Sequence, residues 1–507
     1  MTLNSSGPIS LAGTTAGVSI EVELGGGGTT QISLNDTNVR TLAGVASGAI
    51  TMPTNFYGKS NASYFISMLQ VSSASVIINN LAGATFDSSG NIVIGLGGGN
   101  NYSSTFISLS PTGSVNWAYQ YAASATPNFA ISYRTDIAPS NFLGTDGTYI
   151  YAGGGAQGVT YGSYFKVNPS TGSVVLSGTM ISSSNLPLSA YGFYVDSSGN
   201  TYFGTSYQYY NGTCVFYGPA FNVVNSSGSI TTTYAINGGY TGQVNSLFYN
   251  SSNGYTYAAI MIGNYASYGI FNGSTVVGIY NIYNAGGFIN PTTIKLDSSQ
   301  NIYTGGIFAN NSMAIVKINS SNSVQWVSGT TSGYAIQEGY TQSLIDSSAN
   351  IYYTHNSYQS GGPYIWYIVK LNSSGTILWQ RSIKFTAGVY QGQYNFNNGY
   401  QNMQIALDSS QQFLCVAINY NDVSFDNRVA VLKLPVDGSK TGTYTITDTV
   451  SSTNTLTFTY AASSMSTYTR SGVSTTSASY SSASPATYTS RSVTSSAPTY
   501  VYYHQSI

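Results

Sequence analysis

Charge is what this chain has least of. Of 507 residues only 14 are Lys or Arg and 15 are Asp or Glu, 6% in all, and the formal net charge is −1. A nucleic-acid partner requires clustered cations; these are scattered along the chain, so none is expected. Glutamate occurs three times (Glu21, Glu23, Glu338) and histidine twice (His355, His504), and no H-E-x-x-H, C-x-x-C or G-x-S-x-G run is present. Metal-centred and nucleophile–base chemistry therefore lack their usual signatures, and the expectation is a protein with no catalytic residue, metal or cofactor. One arrangement stays open, Glu338 paired with Asp422 or Asp426, because glycosidase acids come from separate segments.

Cysteine is nearly missing too. Cys214 and Cys415 fall in the third and seventh of the repeats described next, which are not neighbours in a seven-membered ring, so free thiols are expected. No 18 successive residues are apolar, which leaves nothing to cross a membrane as a helix. The start, Met1-Thr-Leu-Asn-Ser-Ser, has neither the positive charge nor the apolar run of a secretory leader, so synthesis in a cytoplasm is expected. What abounds is tyrosine, 46 copies among Ser, Thr, Gly and Asn. That composition suits exposed β surfaces that make contact through rings and hydroxyls.

One short string recurs. It reads DSSGN at 87 and 196, DSSQN at 297, DSSAN at 346 and DSSQQ at 408, with degenerate copies TDGTY at 145 and NSSNG at 250. The spacing of about fifty residues marks a repeat architecture. Each copy precedes an aromatic or β-branched run such as Asn301-Ile-Tyr303. A second pair of runs then flanks a second turn, as in AIVKINSSNSVQW from Ala314 and YIVKLNSSGTILW from Tyr367. The unit is strand, Asx-type turn, strand, loop, strand, Gly turn, strand, in which the Asp accepts from backbone N–H groups and Gly or Asn takes the left-handed position. Four antiparallel strands per unit and seven units predict an all-β, seven-bladed β-propeller. Tyr64–Leu69 and Ser75–Ile78 look like an extra third and fourth strand; they either close the ring, with Ala430–Thr447 leading outward, or begin an eighth blade.

Asp297–Trp326 and Asp346–Trp379 resemble the short β-propeller repeats that run D-S-x-G-N-I-Y-x-T-G and then V-K-L-x-x-x-G-x-x-x-W. The resemblance covers about residues 60 to 440 and implies a fold, not an activity. The expected division is 1–60, 61–442 and 443–507.

Residues 1–60 carry no repeat. Ile9–Leu11, the alternating Val18–Leu24 and Gln31–Leu34 read as strands, and Ser33 with Asp36 at capping-box spacing starts a helix with Val39, Leu42 and Ala43 on one face. The motifs ISL (9–11), SLND (33–36), VRTLAGV (39–45), SGAI (47–50) and FYGKS (56–60) resemble, in this order, the N-terminal segment of structural proteins of tailed bacteriophages. The resemblance implies a virion protein, made in the host cytoplasm, that attaches to other virion proteins through this segment. From Thr443 on, Ser, Thr and Tyr dominate. Leu456, Phe458 and Tyr460 alternate with threonines as a half-buried strand that must pair with the ring or with another copy of the chain; the second option fits a homo-oligomer.

Six of the twelve aspartates, Asp87, Asp146, Asp196, Asp297, Asp346 and Asp408, sit in the repeat turns. One carboxylate per turn suits turn-capping better than calcium, whose loops bring several. Lys166, Lys317, Lys370 and Lys433 share one slot of the third strand, which points to an architectural role such as pairing with a neighbouring turn Asp, and Trp117, Trp326 and Trp379 share one slot of the fourth, which points to packing between blades. The longest connectors between repeats carry Phe129, Tyr133 and Arg134, and Tyr390, Tyr394, Phe396 and Tyr400, a candidate face for a host surface glycan. The sequence reads as a non-enzymatic tail-fibre, spike or other appendage subunit. The alternatives are a cell-surface carbohydrate-binding propeller and a polysaccharide depolymerase.

Overall fold

The structure, a computed structural model, describes residues 3–506 apart from 5, 16–17, 25–28, 30, 44, 46, 58–63, 74–75, 99–102, 124–141, 156–160, 183–187, 211–214, 238–240, 264, 284–287, 309–311, 332–341, 358–364, 388–402, 422–426, 448–454, 464, 470–473, 479–480, 483–485, 491–492 and 497–498. It forms two compact units, residues 1–64 with 506–507 and residues 65–505.

The small unit buries Leu3, Ile20, Val39, Leu42, Ala43 and Phe56 together. The expected helix is Thr37–Ala43, and Ser33 N donates to Asp36 Oδ2 at 2.7 Å, one arm of the capping box. The expected strand over Val18–Leu24 does not form. Ile20–Glu23 make one helical turn instead, with Ser19 Oγ accepting from Val22 N at 3.2 Å and Leu24 N donating to Ile20 O at 2.9 Å. An alternating segment becomes a strand only beside a partner. Residues 31–34 and 9–11 offer no ladder beyond the isolated Ser10–Ser19 bridge, so local capping decides, and the described part of this unit is not β-rich.

The large unit is a seven-bladed β-propeller. Blade 1 comprises Val76–Phe86, Ile92–Gly98, Ser103–Leu109 and Val115–Ala123. Blades 2 to 6 repeat this order from Leu143–Thr145, Leu188–Val195, Gly242–Asn250, Phe288–Leu296 and Ser343–Ile345. Blade 7 takes three strands, Met403–Leu407, Phe413–Asn421 and Asn427–Pro435, from its own repeat and the fourth, Phe65–Ser73, from the start of the unit. Val76 pairs with Ser73, so Val76–Ile78 opens blade 1's first strand and is not an extra fourth one. Likewise residues 430–435 belong to blade 7 and do not lead outward. Because both faces of a blade pack on neighbours, inner strands such as Ile302–Phe308 and Ile351–Ser357 are buried throughout.

The aspartate turns join first to second strands. Asp87 Oδ1 accepts from Ser89 N and Asn91 N at 2.9 Å, and Oδ2 from Asn91 Nδ2 at 2.7 Å. Asp196, Asp297 and Asp346 repeat this and add a phenol six residues on, Tyr202, Tyr303 or Tyr352. Asp146 accepts from Thr148 N, Tyr149 N and the Tyr151 hydroxyl, and Asp408 from Ser410 N, Gln412 N and Phe413 N. The fourth position is left-handed. Gly90 and Gly199 hold it at φ +76°, but Gln300, Ala349 and Gln411 hold it at +64°, +58° and +57°, where an L side chain costs about 1–2 kcal/mol.

The second turn, between third and fourth strands, locks blade to blade. In blades 1 to 6 the ladder slips by one residue at the same place, bulging out Asn116, Val175, Thr231, Val277, Gln325 and Leu378. The half-exposed Val175, Val277 and Leu378 are thus single bulge residues on separate blades, not an apolar patch. In blades 1 and 5 the next residue, a tryptophan, reaches the following blade's turn. Trp117 Nε1 donates to Pro169 O at 2.7 Å and Trp326 Nε1 to Ser373 O at 3.3 Å. The slot lysines reach the same turns: Lys166 to Ser226 O, Lys317 to Ser373 O, Lys370 to Val436 O and, closing the circle, Lys433 to Pro111 O at 2.9 Å. No described slot lysine pairs with a neighbouring blade's turn aspartate; Lys370 Nζ lies 4.0 Å from Asp346 Oδ2 of its own blade.

The C-terminal strands pair with the ring. After a hairpin with Gly442–Thr447, Thr455–Ala462 pairs with Ile377–Ala387 of blade 6. The chain then runs backward: Ser466–Thr469 joins blade 5, Ser474–Ala478 blade 4, Ser481–Ser482 blade 3, Ala486–Ser490 blade 2, Val493–Ser496 blade 1 and Thr499–Ser506 the Phe65–Ser73 strand of blade 7. Every blade thus gains at least a fifth strand, and the tail belongs to the propeller. Leu456, Phe458 and Tyr460 are buried, as their alternation predicts.

Two outcomes follow for stability. Asp196→Ala strands three or four donors and lowers stability by about 2–3 kcal/mol, while Ala349→Gly relieves the left-handed strain and raises it by about 0.5–1 kcal/mol, both read as calorimetric midpoint shifts. Truncation after Lys440 bares seven strand edges, and size-exclusion chromatography should show more association than the full chain does at the same concentration.

Candidate functional site

The connector residues Phe129, Tyr133, Arg134, Tyr390, Tyr394, Phe396 and Tyr400 lie outside the described residues, as do Glu338, Asp422, Asp426 and Cys214. The six repeat aspartates are described, and each is engaged by at least three donors of its own turn or of the strand that follows it. Among the described residues no cluster of three His, Cys, Asp or Glu groups could hold a metal.

His355 is a buried residue of blade 6. Its Nε2 is 3.2 Å from Thr330 Oγ1 of blade 5, which also lies 3.0 Å from the Tyr353 hydroxyl, and its ring stacks on Tyr367 with centroids 4.8 Å apart. Burial lowers its pKa from 6.5 to about 4, so it is neutral at physiological pH and serves as a link between blades. Cys415 is buried on the second strand of blade 7 and burial pushes its thiol up, away from the reactive thiolate. His504 lies on the last tail strand.

The feature that sequence reasoning missed lies on the axis. A cavity of about 320 Å³ opens among the ends of the seven first strands, at the aspartate turns. Two residues before the turn, each blade presents one equivalent side chain: Thr85, Gly144, Tyr194, Phe248, Lys295, Leu344 and Ala406 in blades 1 to 7. All but Phe248 line the cavity. Blades 3 to 5 fill this ring with large groups; blades 7, 1 and 2 leave it open with Ala406, Thr85 and Gly144. Below it, side chains tie the inner strands together: Asn245 Nδ2 donates to Pro291 O, Thr293 and Ser343 hydroxyls are 2.6 Å apart, and Gln342 Oε1 accepts from Ile405 N. The cavity floor is therefore held from several blades.

Lys295 is the cation of this cavity. Its Nζ lies 5.4 Å from the Tyr194 ring centroid and 5.7 Å from that of Phe248, and burial lowers its pKa from 10.5 to about 8. Asp408 also lines the cavity, at the mouth, with its oxygens turned to its own backbone. The signal that could have found the site is the unequal side chain at one fixed offset from the repeated turn, visible only once the repeats are known to surround an axis.

No protein-family model matches the sequence, and no curated protein matches it. Among solved structures, the periplasmic gluconolactonase of Pseudomonas aeruginosa is similar over 71% of this chain and 93% of its own at 9% identity and a TM-score of 0.39. The WD40 domain of SCAP from fission yeast covers 73% and 95% at 10% identity (TM-score 0.29), and Kuenenia stuttgartiensis hydrazine synthase 70% and 79% at 9% identity (TM-score 0.31). At these levels none of them bears on what this chain does.

Keeping His355 neutral contributes stability above pH 6.5 that is lost as pH falls toward 4, where the unfolded chain binds a proton the native one refuses; the loss reaches about 3 kcal/mol. Chemical denaturation at pH 7 and pH 4.5 should show a smaller acid loss for His355→Gln than for the parent, and equal losses would remove His355 from the account.

Proposed function

We propose that the protein is a non-enzymatic structural subunit of a tailed-phage virion, a tail-fibre, spike or other appendage component. In this reading residues 1–60 attach it and the propeller is displayed toward host surface glycan. The observation that carries the display role is the use of the ring's acids. The six repeat carboxylates, half of all aspartates in the chain, are saturated by donors of their own turns and first following strands, so their chemistry is architectural. The tail supports the same role: a ring whose blades are each edged by the chain's own strands suits a particle surface exposed to solvent and proteases. The virion assignment rests on the ordered N-terminal motifs ISL, SLND, VRTLAGV, SGAI and FYGKS.

Mass spectrometry of purified particles should recover the chain at a fixed ratio to the other virion proteins, and its absence from particles would remove the virion reading. On a glycan array the full chain should be retained without releasing sugar; reducing ends appearing with time would favour a depolymerase.

A further inference from the structure

The repeated architecture supplies its own control for the axial lysine. Lys166, Lys317, Lys370 and Lys433, which hold blades together, all stand on third strands and each donates to a carbonyl of the next blade. Lys295 stands on a first strand, in a slot where no other blade has a charge, and among the described residues its Nζ meets two aromatic rings and no acceptor. Lys295 is only partly exposed, an ammonium that gives up part of its hydration without gaining a protein acceptor is disfavoured, and a structural reason like that of the other four lysines is missing here. The wall opposite is small: Ala406 and Gly144 leave the space and Thr85 adds a single hydroxyl. A volume of about 320 Å³ lies at the small end of ligand pockets.

We propose that this axial cavity binds a monosaccharide-sized organic acid, a sugar carboxylate, with its acid group on Lys295 Nζ and its hydroxyl-bearing body against Tyr194, Thr85 and Ala406. A carboxylate supplies the acceptors that the ammonium lacks, and a charge-assisted hydrogen bond is the stronger kind. Tyr194 lines the cavity beside the ammonium, so a ligand held on Lys295 Nζ lies next to its phenol ring. The held floor, through Thr293, Ser343 and Gln342, gives a preformed pocket, so little ordering is needed on binding. The site opens among the aspartate turns, at the opposite ends of the first strands from the blade connectors, and it does not depend on the virion reading, since a cellular propeller would carry it equally.

Calorimetric titration of the full chain with glucuronate and N-acetylneuraminate, against glucose and inorganic phosphate, tests it. The expected result is one-to-one binding of at least one of the two acids, about tenfold or more tighter than either control. Lys295→Met should weaken that binding at least about tenfold while Lys295→Arg retains part of it, and Ala406→Leu, which fills the cavity without touching the charge, should weaken it similarly. Because the ammonium titrates near 8, affinity should fall up to about tenfold per pH unit above that value. The thermal midpoint of each variant reports folding; Lys295→Met removes a partly desolvated charge that has no protein acceptor among the described residues and should not lower it. Acids bound no better than glucose, phosphate bound as tightly as the acids, or an unchanged affinity in folded Lys295→Met would overturn the proposal.

Discussion

Every strand edge in this molecule has to be covered, and most of the architecture answers that requirement. A chain with 6% charged residues has few of the edge lysines and glutamates by which sheets discourage pairing with strangers. Closing the ring with Phe65–Ser73 covers the edge that blade 7 would otherwise present. The fourth strands of all seven blades would still face outward, and the C-terminal tail covers them by retracing the ring in reverse. A segment rich in Ser and Thr can do this because backbone hydrogen bonds supply the pairing.

Within that closed frame, repetition and its exceptions play different parts. Where the blades agree, the residues are structural: the turn carboxylates shape the backbone, the bulge aims Trp117 and Trp326 at the next blade, and Lys433 carries the same contact across the seam from blade 7 to blade 1. Where they disagree, a symmetric ring becomes a one-sided cavity. Tyr194 and Lys295, with Phe248 behind them, stand against Ala406, Thr85 and Gly144 in three other blades and give the axis a charged aromatic wall and an open wall. The same logic accounts for His355, which replaces a repeat residue at one place only and is held neutral between two blades.

Blade number, turn positions, the third-strand lysines and the alternation of Leu456, Phe458 and Tyr460 were legible in the sequence, because each depends on local chemistry: an Asx turn needs its Asp and its left-handed residue within five positions, and a strand shows its own period of two. The small unit shows the limit of that reasoning. Val18–Leu24 has a strand's alternation but no partner ladder, so Ser19 caps a helical turn instead. What the tertiary structure alone decided is which strand lies beside which: that Phe65–Ser73 completes the last blade, that the tail binds its own ring in reverse order, and that Lys295 meets Tyr194 from a blade two places away. Those outcomes join residues tens to hundreds of positions apart, and no local pattern carries them, because they are set by closure of the ring around an axis.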